Sequence, residues 1–206
     1  YQTYAIGKLH VYPQRDRIGF DEVILNEEGR HHLGHGADDY ELYLAEQGYA
    51  GQEYAGGMCN NDYMVRPWHL PEACHQTNWT AREMCKVIRR RDPRKPSFWY
   101  MSFNCPHPPV RPLAEYWDMY ADADVEMPRF GDWSEDVEKL PWLLRTKARR
   151  FAMPGATAEE IRRAKRGWYA NLTHIDHQIR VVIGMLREQG LLDNTIIGFV
   201  CDHGDM

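Results

Sequence analysis

At 206 residues the chain is long enough for one sizeable core or for most of one large α/β domain. With 43% hydrophobic and 12% aromatic residues, its composition excludes a disordered chain. A net charge of −5 and a pI near 6.1 give no electrostatic basis for nucleic acid or an anionic membrane as partner.

Two further classes drop out. No apolar run approaches the ~20 residues of a membrane-spanning helix. The 5 cysteines, at 59, 74, 85, 105 and 201, have no CxxC spacing and so make neither a zinc ribbon nor a disulfide framework.

In chain order, Tyr1 to Ile6 reads as a short strand, followed by Gly7-Lys8-Leu9-His10. Residues 11–36 form a glycine- and histidine-rich loop, in which His31, His32 and His35 read as solvated. Asp38 to Gln47 is a helix closed by Gly48, with Asp38-Asp39 at the end where the dipole favours acids. Residues 50–76 form a second long irregular stretch, of a length that is usually functional or part of a larger assembly.

Thr77 to Arg91 carries helical periodicity through Ala81, Met84, Cys85 and Ile88, and Asp92-Pro93 stops it. Ser97 to Phe103 is apolar on both faces and reads as a central strand. Residues 104–156 are proline-rich and mostly irregular, with one short helix near Leu113 to Tyr120.

The clearest helix comes next. Thr157 and Glu160 make a capping box. Ile161, Ala164, Trp168, Leu172, Ile175, Ile179, Val182 and Leu186 then line one face, and Gly190 is the stop. His174 and His177 on this helix read as packing and polar contacts rather than metal ligands. The glycosylation sequon at Asn171 lies inside the same helix, which makes it a poor acceptor; a second sequon begins at Asn78.

The apolar, β-branched run Thr195 to Cys201 reads as a buried strand, with Cys201 as a small hydrophobe. Strand, helix, strand in this order predicts a βαβ crossover. The expected fold class is α/β, a mostly parallel or mixed sheet sandwiched by helices.

Open sheets of this kind bind ligands beyond the carboxyl ends of their strands, and chemistry-bearing residues stand at each predicted strand end. Lys8 and His10, two apart in an extended chain, can address one anion such as sulfate or phosphate. His107, between Pro106 and Pro108-Pro109, is prepositioned as an acid or oxyanion contact must be. Asp202 and His203 offer a carboxylate that suits calcium or magnesium beside an imidazole that suits zinc, manganese or iron. Each has a plainer reading alone: a surface lysine beside a loop histidine, a packed histidine in a rigid loop, an exposed turn.

Taken together, "GKLH", "SFNCPHPPV" and "DNTIIGFVCDHGDM", with "THIDHQI" and "LLDN" between them, resemble the formylglycine-dependent sulfatases of the alkaline phosphatase superfamily. The resemblance spans the whole chain. It implies an alkaline-phosphatase-like sandwich and an arylsulfatase-like hydrolysis of a small-molecule sulfate ester. Lys8 would bind a sulfate oxygen, His10 would contact the hydrated formylglycine nucleophile, and His107 would touch sulfate near the leaving oxygen and help protonate it. Asp202 and His203 would hold a divalent cation, usually calcium, with magnesium or manganese as alternatives.

The C/S-x-P-x-R motif that becomes formylglycine is absent, as are the family's upstream paired aspartates and a downstream basic residue. Residues 1–206 are therefore expected to be the middle of a sulfatase catalytic domain and inactive alone, with the nucleophile segment and C-terminal part outside it. Two alternatives accompany this reading: a phosphonate monoester or phosphodiester hydrolase of the same superfamily, and a non-catalytic anion-binding remnant.

Overall fold

Three parallel strands organise the chain. In the computed structural model, which describes residues 1–62, 64–129, 131–132, 136–150 and 156–204, β1 (Gln2–Gly7), β2 (Glu22–Leu25) and β3 (Ser97–Ser102) pair in the order β2-β1-β3. The register sets Tyr4 opposite Trp99 and Ile6 opposite both Met101 and Ile24. Alternation along a strand therefore gathers Tyr4, Ile6, Ile24, Trp99 and Met101 on one face.

That face packs against α2 (Gln76–Arg90) and α5 (Ala158–Glu188) through Ala81, Met84, Val87, Ile88, Val182, Met185 and Leu186. Burial of this apolar surface, at about 25 cal/mol per Å2, is the main force holding the two helices to the sheet. A second core joins Tyr40 and Leu44 of α1 (Asp39–Glu46) to Trp68, Cys74, Trp79 and Leu113. The predicted capping box of α5 is present: Glu160 N donates to Thr157 Oγ1 at 3.2 Å, and Thr157 N to Glu160 Oε2 at 2.7 Å. The short helix predicted near Leu113 is α3 (Ala114–Asp118).

Several elements differ from their prediction, each for a physical reason. β2 and α4 (Trp142–Arg150) fall in stretches read as loop. β2 has only four residues, too few for alternation to register against a polar background. Among the described residues β3 is an edge strand rather than central, and Phe98 and Tyr100 on its second face are exposed. They meet Phe20 of the β1–β2 loop, with ring centroids 6.1 and 6.0 Å apart, so their apolar character serves an aromatic cluster and not a buried interior.

The run Thr195 to Cys201 forms no strand, and Ile196, Phe199, Val200 and Cys201 are exposed. A β-branched run becomes a strand only beside a backbone edge that accepts its hydrogen bonds, and no described residue supplies one to it. The parallel sheet flanked by helices stands; the crossover into a final strand does not.

Candidate active site

The end of β1 turns at Gly7, whose φ of +99° lies in the left-handed region. A Cβ there would stand 1.8 Å from the Ser102 carbonyl oxygen, so only glycine lets the β1 and β3 ends meet. Lys8 N then donates to that same oxygen at 3.2 Å. His10 also has a positive φ, 59°, so the two side chains are not aligned by the alternation of an extended chain. They are brought together by the segment immediately after β2.

Glu27 holds the turn. Its Oε1 accepts from Leu9 N at 2.6 Å and from His10 N at 2.9 Å. Glu27 N in turn donates to Asp38 Oδ2 at 2.5 Å, and Asp38 also caps α1 by accepting from Glu41 N at 2.8 Å. Asp39 Oδ2 accepts from Leu25 N at 2.7 Å. The acid pair that opens α1 thus ties the ends of β1 and β2 to the helix start. Burial pushes the Asp38 carboxyl up to about 6 against the pull of these backbone donors.

Glu28 is the centre of the cluster. Its Oε1 accepts from Lys8 Nζ at 2.9 Å and lies 3.3 Å from His107 Nδ1, while Oε2 accepts from Arg30 Nη2 at 3.0 Å. Arg30 also contacts the His10 ring. Burial alone would raise the Glu28 carboxyl, but the Lys8 charge and hydrogen bond, then His107 and Arg30, outweigh it and hold it below the usual carboxylate range. The His10 imidazole is lowered, first by burial and then by the charges of Arg30 and Lys8.

His107 reaches this point from the β3 end. Asn104 Nδ2 donates to Asn26 O at 3.0 Å and Oδ1 at 2.7 Å, and His107 N donates to Asn104 O at 3.0 Å. The Cys105-Pro106 and Pro108-Pro109 bonds are cis. His107 Nδ1 lies 2.7 Å from Pro108 O as well as near Glu28. Both neighbours are acceptors, so Nδ1 carries a hydrogen and Nε2 is the nitrogen left to face a substrate.

The loop is anchored from behind by His75, which caps α2 through Nδ1 (accepting from Thr77 N at 3.1 Å) and donates from Nε2 to Arg111 O at 3.0 Å. His75 meets His174 with the rings tilted and their centroids 4.7 Å apart, and both are buried. His174 Nε2 donates to Asn78 Oδ1 at 2.5 Å, so it is a packed histidine, as expected. Asn171 is buried and the Asn78 amide is engaged, which leaves neither sequon open for a glycan.

Asp202 and His203 stand exposed after this run. His203 N donates to Asp202 Oδ1 at 2.9 Å, and His203 Nδ1 lies 2.7 Å from Gly204 O. The Asp202 carboxyl is held low, chiefly by that backbone donor, with the charges of His203 and Lys8 adding. As metal donors the pair fits part of a site: one hard carboxylate and one imidazole nitrogen, Nε2, with no described third ligand.

Of the five residues predicted for the site, the structure joins Lys8, His10 and His107 through Glu28 and Arg30, and leaves Asp202 and His203 as a separate pair. Glu27, Glu28 and Arg30 were not predicted. Their only sequence signal is two acids and an arginine flanking Gly29, straight after the apolar residues of β2.

The phosphonate monoester hydrolases of Agrobacterium radiobacter and Silicibacter pomeroyi superpose on the chain with TM-scores of 0.65 and 0.63. Each alignment covers 94% of this chain and 43% of the other, at 17% and 20% identity, which establishes the alkaline-phosphatase-like α/β fold. Residues 1–206 match the Sulfatase family throughout, and the chain belongs to that family. The arylsulfatase of Clostridium perfringens is 40% identical over 219 residues, covering 100% of this chain and 44% of that protein. The choline-sulfatase of Rhizobium meliloti is 31% identical over 116 residues, covering 55% of this chain and 22% of its own. The chain therefore spans less than half the length of these relatives.

Proposed function

We propose that the whole protein hydrolyses a small sulfate ester, and that residues 1–206 are the middle of its catalytic domain. The observation that carries this reading is the convergence of Lys8, His10 and His107 at one point, from β1 and β3 ends far apart in sequence. A cluster with Lys8 and Arg30 as fixed cations and an open imidazole nitrogen suits an anionic group that gains charge on its ester oxygen as a bond breaks.

Lys8 directs its remaining ammonium protons to a sulfate oxygen. His107, carrying a proton on each ring nitrogen with Nδ1–H held by acceptors, delivers the Nε2 proton to the departing ester oxygen, so that the bond between sulfur and that oxygen breaks without releasing a free alkoxide or phenoxide. His10 lies on the nucleophile side.

Sulfatases as a family use a metal ion and formylglycine. None of the 5 cysteines begins C-x-P-x-R, so the nucleophile is proposed to come from outside residues 1–206. Calcium, with magnesium or manganese as alternatives, is the cation proposed for Asp202 and His203, with further ligands from the same outside segments. Such an ion supplies positive charge that offsets charge building on the sulfuryl oxygens. In the full-length protein, Asp202→Ala is expected to lower the metal retained after dialysis, measured by elemental analysis. Unchanged metal content would remove Asp202 from the site.

The fold likeness to phosphonate monoester hydrolases keeps phosphorus esters as the second reading. Turnover of 4-nitrophenyl sulfate and 4-nitrophenyl phenylphosphonate by the full-length protein separates them. Faster sulfate hydrolysis is expected; faster phosphonate hydrolysis would transfer the assignment, and turnover of neither would leave an anion-binding module.

A further inference from the structure

Glu28 belongs to none of the motifs that carry the family resemblance, yet Lys8, Arg30 and His107 all close on it. We propose that Glu28 is a positioning residue for the ester-cleaving site: it holds His107 with Nδ1 protonated and Nε2 open, and holds Lys8 beside it, beneath the place where the substrate anion binds. The inference deepens the sulfatase reading and rests on it.

Depth is the first argument. The Glu28 side chain is 5% exposed, against 19% for Lys8, 16% for Arg30 and 30% for His107. The carboxylate is therefore the floor of the cluster and Lys8, Arg30 and His107 are its rim. An incoming anion meets the unused donors of the rim before it meets Glu28, so this acid supports the site and does not occupy it.

Sharing is the second. A single oxygen, Oε1, faces both Lys8 Nζ at 2.9 Å and His107 Nδ1 at 3.3 Å. The spacing of the two groups proposed to grip sulfate and to protonate the leaving oxygen is thus set by one atom. The same oxygen, as an acceptor, keeps a hydrogen on Nδ1 and fixes the ring orientation, so that in the imidazolium form the transferable proton is the one on Nε2.

Rigidity is the third. Glu28 has a φ of 63°, a region costly for a residue with a Cβ. It is kept there by Glu27 on one side, tied to Asp38 and to the 9–10 backbone, and by Gly29 on the other, where a Cβ would lie 3.1 Å from the Tyr54 ring. Its carboxyl, held below the usual range, is ionised throughout the neutral region. A charge buried on a fixed backbone, with every near partner a member of the proposed site, is what an outer positioning group requires.

The test uses the full-length protein with aryl sulfates of graded leaving group. Wild type is measured first on 4-nitrophenyl sulfate and phenyl sulfate. Glu28→Gln is then expected to lower kcat on phenyl sulfate, whose leaving oxygen needs the proton, by about 10–100-fold. The loss on 4-nitrophenyl sulfate should be several-fold smaller, and KM should change less than kcat. Glu28→Asp, which keeps the charge but withdraws it, should fall between the two, and serves as the readout where thermal unfolding shows that Glu28→Gln is not folded. In a His107→Ala background the Glu28 substitution should cost much less than in wild type, because the group it positions is gone. Equal losses on both esters, or an undiminished cost beside His107→Ala, would overturn the inference while leaving an active sulfatase. A folded wild type that turns over neither ester would overturn the sulfatase reading, and the inference with it.

Discussion

Replacing His107 by alanine in the full-length protein is expected to lower kcat by roughly 10²–10⁴-fold, the usual worth of a general acid, with little change in the unfolding midpoint. The two halves of this expectation have separate causes. Turnover falls because the only proton source proposed for the leaving oxygen is removed. Stability is spared because the ring is not part of either core. Its loss also strands no buried charge, since Glu28 keeps Lys8 at 2.9 Å and Arg30 at 3.0 Å. A substitution of this kind, away from buried charge and core, usually stays near 0.5–1 kcal/mol. The loss should shrink on aryl sulfates whose phenol is a strong acid, because such a group leaves without help. Equal kcat for the variant and wild type at matched folded fraction, with phenyl sulfate as substrate, would remove His107 from the chemistry.

How far the sequence carried can be judged from particular residues. α5 was legible because its start, stripe and stop are local: Thr157 with Glu160, then apolar residues at helical spacing, then Gly190. The Gly7-Lys8-Leu9-His10 turn and the proline-braced His107 were legible for the same reason, since both are short and chemically distinct. The run Thr195 to Cys201 misled because β-branched apolar character reports suitability for a strand, whereas forming one needs a neighbouring edge. That information is tertiary.

Glu28 was illegible for a related reason. An acid followed by glycine and arginine in a histidine-rich loop reads as solvated, and only the fold reveals that it is buried under Lys8, Arg30 and His107. His75 shows the converse. Nothing nearby marks it, and yet it caps α2 and anchors the Arg111 backbone behind the His107 loop. Sequence thus marked candidate groups for the chemistry; which groups hold them in place depended on contacts between segments tens of residues apart.

The second large effect is expected from acid. His174 is buried, and burial first, with the His177 charge second, lowers its imidazole from 6.5 to about 4. His75 is lowered as well, first by burial and then by the His174 charge. A histidine with a depressed folded pKa binds its proton more readily when unfolded, so stability is full above the unfolded value of 6.5 and is lost as pH falls toward 4. A shift of this size in one buried group corresponds to a loss on the order of 3 kcal/mol across that window, a large fraction of a typical domain's stability. The failure should be local before it is global. A proton on His75 Nδ1 removes the acceptor for Thr77 N, and a charged His75–His174 pair repels at a ring separation of 4.7 Å. The Arg111 anchor behind the His107 loop loosens with it. Urea unfolding of the full-length protein between pH 7.5 and 4.5 is the measurement, with His174→Gln for comparison. The variant should start less stable at pH 7.5, because the ring leaves the stack with Tyr116 and His75, but should lose less as the pH falls. Parallel pH profiles for the two proteins would show that His174 does not carry the acid sensitivity.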